Sequence, residues 1–205
     1  VTKTDFKKTL PSYKAKQGRF ELIELPTLRY LMIEGKNGPA SQDYLDAIQA
    51  LYPVAYKLKF MSKLDLENDY VVPPLQAQWW ADDMRTFTTH FDKSAWRWNA
   101  MLLTPEWITP EMFSAAVDTV AAKNAPVALS KLRLEALEEG LCVQTLHVGS
   151  YDNEGPTLKE IHETFIPDQG LRMRGRHHEI YFNDFRKTAP EKLRTLLRQP
   201  VETKT

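Results

Sequence analysis

The chain opens on a polar stretch. Residues 1–18 are rich in Lys and Thr and show no periodicity, which predicts an extended arm or irregular lead-in. Arg19 to Leu25 then alternates as a strand, Pro26-Thr27 breaks it, and Leu28 to Glu34 forms a second strand. The cluster Gly35-Lys36-Asn37-Gly38-Pro39 ends that strand. Ser41 is placed to cap a helix, and Tyr44, Ile48, Leu51, Ala55, Leu58 and Met61 follow at three- and four-residue spacing. Pro53 falls inside this pattern and predicts a kink or a division in two. Tyr70-Val71-Val72 opens a strand that Pro73-Pro74 interrupts, with Leu75 to Trp80 continuing extended.

Ser94 to Leu103 alternates as another strand. Thr109-Pro110-Glu111 predicts a helix start, with Phe113, Ala116, Val117 and Val120 as its apolar stripe. Leu132 to Glu139 and Leu141 to Gly149 read as a hairpin about Gly140. Leu158, Ile161, His162 and Phe165 mark a further helix. The last strand is read at Arg176 to Phe182, with a polar tail after it. A weak duplication runs through this order. The strand ending at Gly35 aligns with the one ending at Gly149, and Asp69 to Val72 aligns with Glu179 to Phe182. The expected architecture is therefore α+β: two similar halves, each strand-helix-strand with a hairpin partner, about 19–105 and 130–185, in one domain spanning 19–205. A mainly antiparallel sheet and a pseudo-twofold axis would place a ligand cleft at the seam.

Composition narrows the function classes. Lys plus Arg and Asp plus Glu are 27 each, so the formal net charge is zero. That removes the basic excess of a nucleic-acid binder. The single cysteine, Cys142, excludes an internal disulfide, and no apolar run reaches the length of a membrane span. With no visible signal peptide, a cytoplasmic location is expected and no membrane partner. Five Trp, eight Tyr and nine Phe are an unusually large complement of rings.

Three segments carry a family resemblance. They are Asp69-Tyr70-Val71-Val72-Pro73-Pro74-Leu75 with Trp79-Trp80, Glu138 to Gln144 with His147 to Tyr151, and Arg176 to Asp184 with Arg186 to Thr195. Together they resemble a stand-alone member of the GyrI-like small-molecule-binding family, from about Asp5 to about Val201. That resemblance implies a fold of two tandem β-α-β-β units with pseudo-twofold symmetry and a pocket for amphipathic, often cationic, drug-like molecules. Some relatives instead hydrolyse strained cyclopropanoid compounds, and some are named for modulating a partner macromolecule. The resemblance also implies a functional acid on the last strand, which is Glu179 here.

The residues give that acid a setting. Alternation along 176–182 puts His177, Glu179 and Tyr181 on one face and His178, Ile180 and Phe182 on the other. The apolar pair predicts that the second face packs on the helices and that the first lines the cleft. Glu179 is thus the candidate charge partner of a cation, or the base that activates water, and the acid expected to lie deep in the seam. Glu138, Glu139, Asp152 and Glu154 lie in turns or beside Gly and are expected to be solvated. Tyr70, in the mirrored place, would orient a water or ligand oxygen, or else fill the core. Trp79 and Trp98 are candidate cleft walls, though large rings fill cores equally well. Tyr151, His177 and Tyr181 complete the candidate ligand-binding set. His177 and His178 are adjacent and point to opposite faces, so no metal site is expected. No phosphate loop or dinucleotide fingerprint is present, so no cofactor is expected either.

Overall fold

The computed structural model describes residues 3–87, 90 and 92–204. Nine strands lie among them: β1 Glu21–Leu25, β2 Leu28–Lys36, β3 Gln76–Trp80, β4 Arg97–Thr104, β5 Arg133–Leu137, β6 Gly140–Val148, β7 Leu171–Met173, β8 His177–Tyr181 and β9 Arg194–Thr203. The helices are α1 Phe6–Thr9, α2 Gln42–Asp65, α3 Pro110–Asn124 and α4 Gly155–Glu160. The last continues as a π turn, Ile161–Phe165, into α5 Ile166–Asp168.

All strand pairs are antiparallel, in the order β1-β6-β9-β8-β3-β4-β2-β5, with β7 beside β9. The order reads the same from either end when β1, β2, β3 and β4 are exchanged with β5, β6, β8 and β9. Pro26-Thr27 separates β1 from β2, as the sequence predicts. Leu132 to Gly149 does not form a hairpin. β6 pairs with β1, Leu25 opposite Gly140, and β5 pairs with β2, Leu28 opposite Leu137. One register thus continues through both breaks, and the two segments form a split ribbon that ends at opposite edges of the sheet. Gly140 sits at the break with φ 60°, a conformation that costs a residue with a Cβ more than it costs glycine.

The region after Phe182 also departs from expectation. Instead of a polar tail it supplies β9, buried from Thr195 to Val201 in the middle of the sheet. Tyr70 forms only an isolated bridge with Thr4, and the third strand begins at Gln76. Both predicted N-caps are in place. Ser41 Oγ accepts from the Tyr44 amide at 3.3 Å and Thr109 Oγ1 from the Met112 amide at 3.3 Å. α2 is not divided at Pro53. The proline is on the exposed side of the helix, so the Gln49 carbonyl it leaves unpaired faces water.

α2 covers one face of the sheet, over Leu31, Ile33, Trp79 and Trp98, with α3 against α2. Ile161 and Ile166 cover Val143 and Leu197 on the second half of that face. The other face is covered by the N-terminal segment. Tyr13, with Phe6 and Leu10 around it, packs on Tyr30, Met32, Met101, Ile180 and Leu196. The expected orientation of β8 is therefore reversed. The Glu179 face is the helix-covered one, and the His178 face packs on residues 6–17.

Gly35 stands across the ladder from Trp98, whose ring occupies the space a Cβ would need. Gly35→Ala is expected to cost about 1–3 kcal/mol of stability by displacing the buried Trp98 ring. A urea titration that returns the wild-type midpoint would contradict this packing.

Candidate functional site

β8 lies between β3 and β9 at the centre of the sheet, so its helix-side residues sit between the two helical covers. Ala77 is directly across from Glu179 on β3, and its small side chain leaves the carboxylate uncrowded. Glu179 Oε2 accepts from the Tyr181 hydroxyl at 2.6 Å, which itself accepts from Trp79 Nε1 at 2.9 Å. Glu179 Oε1 is 3.1 Å from His177 Nε2. The Glu179 side chain is 14% exposed, so it keeps a narrow route to solvent.

Rings surround this carboxylate. The Tyr44 ring, on α2, lies 5.5 Å from Trp79 and 5.0 Å from Trp98. Tyr151 meets Tyr181 edge-on at 5.7 Å. Burial and the Glu179 charge push the Tyr181 and Tyr44 phenols well above their ordinary range, so both remain donors. The Tyr151 phenol is pushed up to about 12, chiefly by burial.

The other carboxylates correct the sequence reading. Glu154 is not solvated. It is 5% exposed where the turn Tyr151–Asn153 enters α4. Burial, then the Glu179 charge, pushes its carboxyl up to about 9, so it holds its proton at neutral pH. Glu139 is also buried, on the opposite face, where Oε1 meets His178 Nδ1 at 2.8 Å and Oε2 meets Arg198 Nη1 at 3.2 Å. Its carboxyl is held down at about 2 although burial alone would raise it. The His178 imidazole lowers it most and the Arg198 guanidinium next, although burial holds the His178 pKa itself down.

Tyr70 is not brought to Glu179. It is 2% exposed, its ring neighbours are Phe6 and Trp107, and the charge that acts on its phenol is Asp69. Trp98 is 1% exposed and donates from Nε1 to the Lys36 carbonyl, so it backs Tyr44 from within the core. Trp79, His177, Tyr181 and Tyr151 are gathered around Glu179. The sequence reading missed Tyr44, Glu154, His162 and Thr195 as site residues. Tyr44 falls on the apolar stripe of its helix pattern, and the others carry no local signal.

Five buried side-chain polar atoms among the described residues lack a partner, and four of them belong here: Glu154 Oε1, Thr195 Oγ1, His177 Nδ1 and His162 Nε2. The His162 ring stands edge-on to His177 at 6.3 Å, and burial holds its pKa down at about 4. Such atoms are uncommon in a folded interior, and these four come from β8, β9 and the segment around α4 that covers them. Among the described residues no three His, Cys, Asp or Glu side chains converge to hold a metal ion. Two surface recesses, of about 500 and 220 Å³, lie elsewhere, and neither is lined by Glu179.

The model of the GyrI-like small molecule binding domain matches residues 18–202. The chain belongs to the GyrI-like family. Its fold is similar to that of an uncharacterized conserved protein from Listeria innocua, 38% identical, with a TM-score of 0.89 over 98% of this chain and 100% of that one. A structure described as a hydrolase from Listeria innocua is likewise 38% identical, with a TM-score of 0.85 and the same coverage. The C-terminal domain of EcmrR shares the GyrI-like fold at 12% identity, with a TM-score of 0.55 over 91% of this chain and 98% of that domain. No curated protein gives a match. No helix among the described residues is long and apolar enough to cross a membrane.

Glu154 also makes stability pH-dependent. Its folded-state pKa lies above the unfolded one, so the unfolded chain releases this proton first and stability falls between about pH 4.5 and about pH 9. Glu154→Gln, which keeps the shape of the protonated acid, is expected to raise the melting temperature at pH 8 more than at pH 5. A gain of at least about 1 kcal/mol is expected between the two pH values. An equal change at both would show that Glu154 is ionised in the folded protein.

Proposed function

We propose that this protein binds amphipathic small molecules carrying a positive charge, with Glu179 as the charge partner and Trp79, Tyr44, Tyr151 and Tyr181 as the aromatic surround. The observation that carries this reading is the Glu179 carboxylate, shielded among rings and held by Tyr181 and His177 rather than by a cationic side chain. A carboxylate so placed, with ring faces near it, attracts an organic cation that can shed its water. The test is a fluorescence titration with a lipophilic cationic dye. Saturable binding that weakens in Glu179→Gln is expected. No binding up to the solubility limit, or identical titrations of the two proteins, would overturn the reading.

A second reading has its own support in the paired acids and in the 38% identical structure described as a hydrolase. In it Glu179 takes a proton from water, the water oxygen bonds to a carbon of a strained ring, and a ring bond breaks. The electron pair of that bond passes into an electron-poor part of the substrate, where Tyr181 or protonated Glu154 supplies the proton. Tyr70, packed between Phe6 and Trp107, has no part in this scheme. Mass spectrometry of a cyclopropanoid incubated with the protein is expected to show addition of one water, lost in Glu179→Gln. Unchanged substrate with wild-type protein would leave binding alone.

A further inference from the structure

We propose that Glu154 and Thr195 form a hydrogen-bond-donor subsite for a ligand carbonyl oxygen, about 7 Å along β8 from Glu179. The inference rests on the reading of Glu179 as the cation's partner and adds a second anchoring point to it. Together the two points define the ligand as a cation joined through a flat spacer to a carbonyl.

The register supplies the geometry. Thr195 is directly across from Tyr181, and Tyr181 is two residues beyond Glu179 on the same face. A strand advances about 3.3 Å per residue, which gives about 7 Å along β8, and the step of about 4.8 Å across to β9 comes in addition. Glu154 reaches the same point from the start of α4. Thr195 is fully buried and Glu154 is 5% exposed, yet neither Oγ1 nor Oε1 has a hydrogen-bond partner. The Thr195 hydroxyl lies within hydrogen-bonding reach of the Glu154 carboxyl and lowers its pKa, although no hydrogen bond of normal length joins Oγ1 to Oε1.

The groups facing Glu154 decide its hydrogen-bonding sense. Glu179 and Asp152 are acids that oppose its ionisation, Tyr151 is a phenol, and Thr195 is neutral; burial acts in the same direction as the acids. Glu154 therefore presents an O–H, and Thr195 can present another. Two neighbouring O–H groups, with Oγ1 and Oε1 both unpaired, suit an oxygen with two lone pairs. A carboxylate ligand would be repelled by the Glu179 charge in a sheltered setting that screens it little, so a neutral carbonyl fits better than an anion.

Calorimetry with two probes tests this: (4-acetylphenyl)trimethylammonium and (4-ethylphenyl)trimethylammonium, alike except for the carbonyl. Wild-type protein is expected to bind the ketone about 10-fold more tightly, the worth of one well-made hydrogen bond. Glu154→Gln retains an N–H donor and is expected to keep most of that preference. Glu154→Leu and Thr195→Val are expected to reduce the ratio of the two affinities toward parity, and an unchanged ratio in both variants overturns the subsite. Equal binding of both probes by wild type overturns the donor subsite but not the cation reading. Binding of neither overturns the cation reading and the subsite with it. A ligand-free arm is independent of any probe. The infrared difference between wild type and Glu154→Gln at pH 7 is expected to contain a carboxylic-acid carbonyl band. Its absence overturns the proposal.

Discussion

Arg198→Ala is expected to cost about 3–5 kcal/mol of folding stability, read as a lower urea midpoint with unchanged slope. Arg198 is 1% exposed on the sheet face covered by the N-terminal segment. Its guanidinium reaches Glu139 at 3.2 Å, the Ser12 carbonyl at 2.7 Å and Gln144 Oε1 at 3.3 Å. Truncation removes all three contacts and leaves Glu139 charged and buried with only a neutral imidazole beside it. The size of the effect comes from that stranded carboxylate more than from the contacts. Adding Glu139→Gln to Arg198→Met is therefore expected to recover part of the loss. If the double variant is less stable than Arg198→Met alone, the stranded-charge account fails. The same pair fixes the acid limb. The Glu139 carboxyl is held at about 2, below its unfolded value, so its contribution is complete above about pH 4.5 and is lost as pH falls toward 2.

Glu179→Gln is expected to weaken an organic cation by about 2–5 kcal/mol and a neutral isostere of the same shape far less. The substitution keeps the volume and lets the amide accept from Tyr181, so packing is preserved. What is lost is the charge opposite the ligand's own, in a place too sheltered for water to replace it. Matched calorimetry of the cation and its isostere separates this from a general loss of the pocket. Equal losses for both would show that Glu179 is not the charge partner. Tyr181→Phe offers a milder contrast. It removes the hydroxyl between Trp79 and Glu179, and about 1–2 kcal/mol is expected to be lost for either ligand.

Much of this arrangement is legible in the chain. The Pro26-Thr27 break, the caps at Ser41 and Thr109, and the alternation of His177, Glu179 and Tyr181 follow from local chemistry, and each is found. The parts that were not legible depend on distant partners. β9 reads as a tail because Arg198 and Pro200 look like surface residues, and it takes Glu139, Gln144 and the Ser12 carbonyl to make Arg198 a core residue. Glu139 itself stands beside Gly140, where a solvated turn is the natural reading, and its neutralising partner is far along the chain. The supposed hairpin at Gly140 satisfies every local rule, but its strands find better partners in β1 and β2. Glu154 carries no pattern that separates a buried acid from a surface one. Its character is set by the burial and charge that the fold brings to it.

The placement of β9 has a consequence for how the molecule is made. Of the nine strands it is the last to be synthesised, yet it lies between β6 and β8 and joins them. While the chain is still emerging from the ribosome, β8 and β6 have exposed edges facing an unfilled slot, and the Thr195 and Arg198 side chains are missing from both faces. The two halves of the sheet therefore cannot lock together before residues 194–203 have emerged. Closure is a late, chain-wide event, and the nascent protein presents bare strand edges to chaperones until residues 194–203 are free to insert.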